Sequence, residues 1–78
     1  MGVTEDLADE LARDTVEAAE LIGSETLVAD VAKVIGATST TAEEAFLTAV
    51  RVRMAAKRGR RYLEAQLRAY EAQIKHQD

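Results

Sequence analysis

The run from Thr41 to Lys75, TAEEAFLTAVRVRMAAKRGRRYLEAQLRAYEAQIK, holds no proline and a single glycine, Gly59. Its reading decides the fold. Ala42, Ala45, Ala49, Val52, Ala56, Gly59, Leu63, Leu67, Tyr70 and Ile74 recur at spacings of three and four, which places them on one face of an α-helix. Phe46, Leu47, Val50 and Met54 add a second apolar face to the first half. Thr40 with Glu43, and Thr41 with Glu44, have the spacing of a capping box that opens a helix. A helix over 41–75 is roughly 50 Å long at 1.5 Å per residue, well beyond the width of a domain this small. It therefore bends back near Gly59, pairs with another chain, or projects into solvent. The continuous stripe favours pairing, because a solvated tail has no use for it.

Upstream, the pattern predicts two shorter helices. The first spans about residues 4–22, with Thr4 as N-cap and acids in the first turn, where the helix dipole favours them. Leu7, Ala8, Leu11, Ala12, Thr15, Ala18, Ala19 and Ile22 share its broad apolar face, and Asp6, Glu10, Asp14 and Glu17 run down the opposite side. Gly23 is suited to end it. Ser24 is placed to cap a second helix over 25–35, with Leu27, Val28, Val31, Val34 and Ile35 on one side. The β-branched content there would suit a strand, but the apolar spacing is helical. Gly36 closes it, and residues 37–40 form a short turn. The expected architecture is an all-α helical bundle of three helices, a single domain over 1–78. Residues 60–78 are a projecting or pairing helical extension.

Composition explains why a second chain is expected. Of 78 residues 47% are apolar, but 15 of them are alanine, which buries little area. A core in so short a chain rarely supplies more than about 3–5 kcal/mol unaided. Cysteine is absent and histidine occurs once, so disulfides and a Cys/His zinc site are excluded as staples. A homo-oligomer remains, with a dimer as the first expectation. Its self-association seam is Ala42, Ala45, Ala49, Ala56, Leu63, Leu67, Tyr70 and Ile74.

The formal charge of −4 conceals a polarity: residues 1–44 sum to −9 and residues 45–78 to +5. Six cations, Arg51, Arg53, Lys57, Arg58, Arg60 and Arg61, lie within eleven residues. Such a cluster can contact phosphates or an acidic partner, or be neutralised by the acids of the first helix. Aromatic residues for base stacking are few, which weighs against single-stranded nucleic acid. Glu64 with Arg68, and Glu71 with Lys75, have the favourable i, i+4 order of a salt-bridged solvent face. No apolar run is long enough for a membrane span or a leader core, so a cytoplasmic protein without a membrane role is expected.

Nothing in the chain assembles a catalytic set. His76 has no partner, no Glu-x-x-His pair exists, and no glycine loop for phosphate is present. Ser24, Ser39 and the threonines at 38, 40 and 41 read as caps. The expectation is therefore not an enzyme, with no catalytic residue, cofactor or metal.

The segment Val31-Ala-Lys-Val-Ile-Gly36-Ala-Thr-Ser-Thr-Thr41-Ala-Glu-Glu-Ala45 resembles the helix-turn-helix of bacterial DNA-binding regulators, within about residues 24–46. Val31, Ala32, Ile35, Gly36, Thr38, Ala42 and Ala45 carry the resemblance. It implies that residues around Thr40–Glu44 enter the major groove, with the Arg51–Arg61 cluster on phosphates. Glu43 and Glu44 depart from that pattern, since carboxylates there face a polyanion. The leading functional expectation is a non-enzymatic interaction protein, an adaptor, inhibitor or regulator that binds another protein through charged or apolar helix faces. The acidic partner face would be Asp6, Glu10, Asp14 and Glu17. A small helix-turn-helix transcriptional regulator is the alternative, which makes nucleic acid a secondary partner.

Overall fold

The computed structural model describes residues 2–76, and within them the protein is all-α, with three helices and no strand. Helix α1 spans Val3–Ile22, α2 spans Leu27–Gly36 and α3 spans Thr40–His76. The last two residues of the expected 60–78 extension lie outside the described residues.

The first helix ends at Ile22 as expected, while the other boundaries lie one or two residues from expectation, and hydrogen bonds account for the helix starts. Thr4 does not cap α1 but sits in its first turn. Gly2 precedes the helix, its N–H donating to Glu5 Oε1 at 3.1 Å. Gly23 ends α1 in the left-handed region with φ 68°, and the Ser24 N–H donates back to the Ala19 carbonyl at 2.9 Å. Ser24 Oγ accepts from the Thr26 and Leu27 N–H groups at 3.3 and 3.1 Å. Glu25 and Thr26 are thereby held in a turn, and α2 starts at Leu27. Ser39, not Thr40 or Thr41, caps α3, its Oγ accepting from the Ala42 N–H at 3.0 Å. The connection is only residues 37–39, and the Thr38 and Ser39 N–H groups both return to the Ile35 carbonyl. The chain thus re-enters a helix at once.

α3 does not bend back at Gly59. It runs through that residue as one α-helix of 37 residues, about 55 Å at the standard rise, along a molecule measuring 62 × 30 × 13 Å. The radius of gyration is 17.4 Å, against about 11.5 Å for a compact chain of this length. The excess comes from the second half of α3: every described residue from Arg58 onward is exposed.

The body of the molecule is α1, α2 and the first half of α3. α1 and α3 run in the same direction, since Glu5 lies beside Ala45 and Thr48 while Glu20 lies beside Lys57 and Arg60. α2 returns antiparallel between their ends. The core is small: Ala8, Ala12, Val16, Ala32, Phe46 and Val50, with Thr15 buried among them. Phe46, with no exposed surface, is its one large side chain. Val28, Val31, Ile35, Ala45, Leu47 and Ala49 pack around it.

This core redraws two expected faces. On α1, Val16 is buried, whereas Leu7, Leu11 and Ile22 remain exposed. Their side of the helix extends past the ten-residue α2, which is too short to cover it. On α2, Val34 is exposed, because Ala32 faces the core and Val34 points away from it.

Candidate functional site

Thr15, Val16 and the small residues Ala8 and Ala12 let α1 approach α3 closely, and charges meet at the edge of that contact. Asp9 accepts two hydrogen bonds from Arg53, from Nε at 2.9 Å and from NH2 at 2.7 Å. This is the bidentate fork that matches a guanidinium to a carboxylate. Lys57 donates to Glu20 Oε1 at 2.7 Å. Asp9, Val16 and Glu20 stand seven and four residues apart, so the buried valine lies on the same strip as both acids. The Arg53 hydrogen bond lowers the Asp9 carboxyl below the usual carboxylate range. The same bond raises the Arg53 guanidinium above its ordinary value.

The acids that neutralise the basic cluster are therefore Asp9 and Glu20, neither of which belongs to the row Asp6, Glu10, Asp14 and Glu17. That row is exposed to solvent throughout. Among the described residues only Asp14 within it has an ion-pair partner, Arg13 on the same helix at 3.3 Å. Asp9 and Glu20 were legible as acids bordering the apolar face of α1, a position from which a carboxylate reaches a neighbouring helix.

The six cations of the cluster divide. Arg53 and Lys57 are half-buried and paired across to α1. Arg60 and Arg61 line a shallow recess with Glu20, Lys57 and Glu64. Arg51 and Arg58 are exposed on the side of α3 away from α1. Among the described residues, Arg51, Arg58, Arg60 and Arg61 form no ion pair.

The seam residues divide as well. Ala42, Ala45 and Ala49 are half-buried against the body, while Ala56, Leu63, Leu67, Tyr70 and Ile74 are exposed. Among the described residues, Leu63, Leu67, Tyr70 and Ile74 keep 45–61% of their surface open to solvent, with no other helix packed on them. Val52, between the two groups, is 62% exposed.

In the segment resembling a helix-turn-helix, α2 and α3 meet across a three-residue turn. Gly36 is not left-handed: Gly23 alone among the described residues has positive φ. Gly36 instead leaves room for the Glu43 carboxylate, whose Oε1 would lie 2.5 Å from a Cβ placed there. Glu43 thus folds back on α2, and Glu44 is exposed.

His76 stands exposed at the last turn of α3. Among the described residues, no three His, Cys, Asp or Glu side chains converge, and no helix is long and apolar enough to cross a membrane. The open recesses carry mixed walls; a mostly apolar one lies between Leu7, Leu11, Ile35, Ala42 and Phe46 at one end of the body. Compared with known proteins, the chain matches no family model, no curated protein and no solved structure.

Proposed function

We propose that this chain is a non-enzymatic interaction protein, an adaptor, inhibitor or regulator, that binds a basic protein surface through the acidic row of α1. One observation carries the reading. α1 holds two sets of acids: Asp9 and Glu20 are paired with Arg53 and Lys57, while Asp6 and Glu10 face solvent with no ion-pair partner among the described residues and Glu17, beside Arg53 and Lys57, bonds to neither. No member of that row pairs across to α3, although Asp14 and Glu17 act on Arg53 through space. Solvent-facing carboxylates on a rigid helix steer a cationic partner and set its register more than they add affinity.

The test is an affinity capture from the native host by the wild-type chain and by Asp6→Asn, Glu10→Gln, Asp14→Asn, Glu17→Gln together. A protein retained by the first and lost by the second, with affinity falling steeply as salt rises, supports the reading. The same retained set at unchanged affinity overturns it.

A second reading, the helix-turn-helix regulator, is favoured by the unpaired Arg51, Arg58, Arg60 and Arg61 together with the short turn between α2 and α3. A duplex gel shift that weakens with salt and with Arg58→Ala, Arg61→Ala supports it. No shift at low salt removes it.

A further inference from the structure

We infer that two copies of this chain pair through the full length of α3, antiparallel, about a two-fold axis beside Gly59. The proposal concerns α3 and stands whether or not the acidic row of α1 has a partner.

The stripe, half-buried at Ala45 and Ala49 and exposed from Val52 onward, is asymmetric in size but symmetric in position. Its first half is small, with Ala45, Ala49, Val52 and Ala56. Its second half is large, with Leu63, Leu67, Tyr70 and Ile74. Running the helix against itself matches Ala45 with Ile74, Ala49 with Tyr70, Val52 with Leu67 and Ala56 with Leu63. All four pairs are centred on the same point, between Gly59 and Arg60. Each large side chain then meets a small one, the interdigitation that a packed interior requires. Gly59 meets its own copy at the axis, where no Cβ obstructs the approach. Nothing in its own chain lies within 4 Å of a Cβ built at Gly59, so the glycine answers to no contact within the monomer.

Three further observations fix the occupant. Beside Ala45 and Ala49 the body is open, forming a recess of about 380 Å³ walled by Glu5, Glu44 and Thr48. In this register Tyr70 and Ile74 of the second copy enter it. Charge agrees: residues 58–76 carry five bases and two acids, and they would lie along α1, which carries seven acids and one base. Area selects the register. Contact over residues 45–74 covers roughly 45 Å by 10 Å on each copy, about 900 Å² in total from α3 alone, just short of the ~1,000 Å² threshold of a specific interface before the contact of Tyr70 and Ile74 with the body is added. Pairing the extensions alone, over residues 63–74, covers only roughly 350 Å².

The chain has no cysteine, so single cysteines report the register directly. Leu67→Cys mixed with Val52→Cys should form the mixed disulfide in preference to either self-linked product, and Gly59→Cys should link to itself. Sedimentation equilibrium of the wild type should give twice the 8.5 kDa chain mass. Gly59→Leu and Leu67→Asp should each return it to the single mass with helical circular dichroism retained. A single-chain mass for the wild type at high concentration overturns the proposal. So does Leu67→Cys linking to itself faster than to Val52→Cys, and so does a Gly59→Leu variant that remains a dimer.

Discussion

Phe46 is the residue on which the body depends. It is the one large side chain fully enclosed, and its neighbours are alanines and valines with little area of their own. Phe46→Ala should cost about 3–5 kcal/mol, which rivals the roughly 3–5 kcal/mol that a core in so short a chain supplies. Urea denaturation should find the variant largely unfolded in buffer. Thr15 behaves in the opposite sense. Its buried hydroxyl donates to the Leu11 carbonyl of its own helix at 2.7 Å, an acceptor shared with the helical ladder. Thr15→Val should therefore change stability by less than about 1 kcal/mol. A loss of several kcal/mol would show that the hydroxyl serves a partner beyond α1. Gly23, at φ 68°, is needed for its backbone. Gly23→Ala should cost about 1 kcal/mol, read as a lower denaturation midpoint with unchanged slope.

Among the elements, the α1–α3 edge is governed by Asp9 and Arg53. The hydrogen bond that lowers the Asp9 carboxyl favours the ionised form in the folded state. Its stabilisation is complete above the ordinary carboxylate pKa, near 4, and is lost as the pH falls through the lowered folded value. Asp9→Asn should therefore be less stable than wild type at neutral pH and should lose less on acidification. Thermal melts between pH 2 and 7 should show the two curves converging at the acid end. Existence and order of the three helices were legible from apolar spacing alone, because periodicity records which face is covered. Their ends were less so. Ser24 and Ser39 each compete with neighbouring Thr and Gly for the same backbone groups, and local sequence does not rank them. Nor did spacing reveal that Val16 is buried and Leu7 exposed. That depends on α2 being too short to cover the far side of α1. The pairing of Arg53 and Lys57 with Asp9 and Glu20 rests on contacts across 44 and 37 residues of chain, which only the tertiary arrangement sets.

At the scale of the molecule, a small body carries a helix twice its own depth. For Leu67→Asp at low concentration, small-angle scattering should return a radius of gyration close to 17.4 Å; a value near the compact ~11.5 Å would mean that the helix folds back after all. The shared direction of α1 and α3 also has a kinetic consequence. α2 and α3 are neighbours in sequence and meet across three residues, so their pairing closes a short loop. α1 meets α2 across four residues as well, but its main contact, with α3, spans about forty residues of chain and costs more entropy to close directly. If α2–α3 pairing forms the folding nucleus, α1 docks after the rate-limiting step. Stopped-flow measurements on Val16→Ala should show faster unfolding with refolding nearly unchanged, whereas Ile35→Val should slow refolding. The N-terminal helix, which carries half of the acidic residues, is then the last part of the chain to be secured and the first to be released.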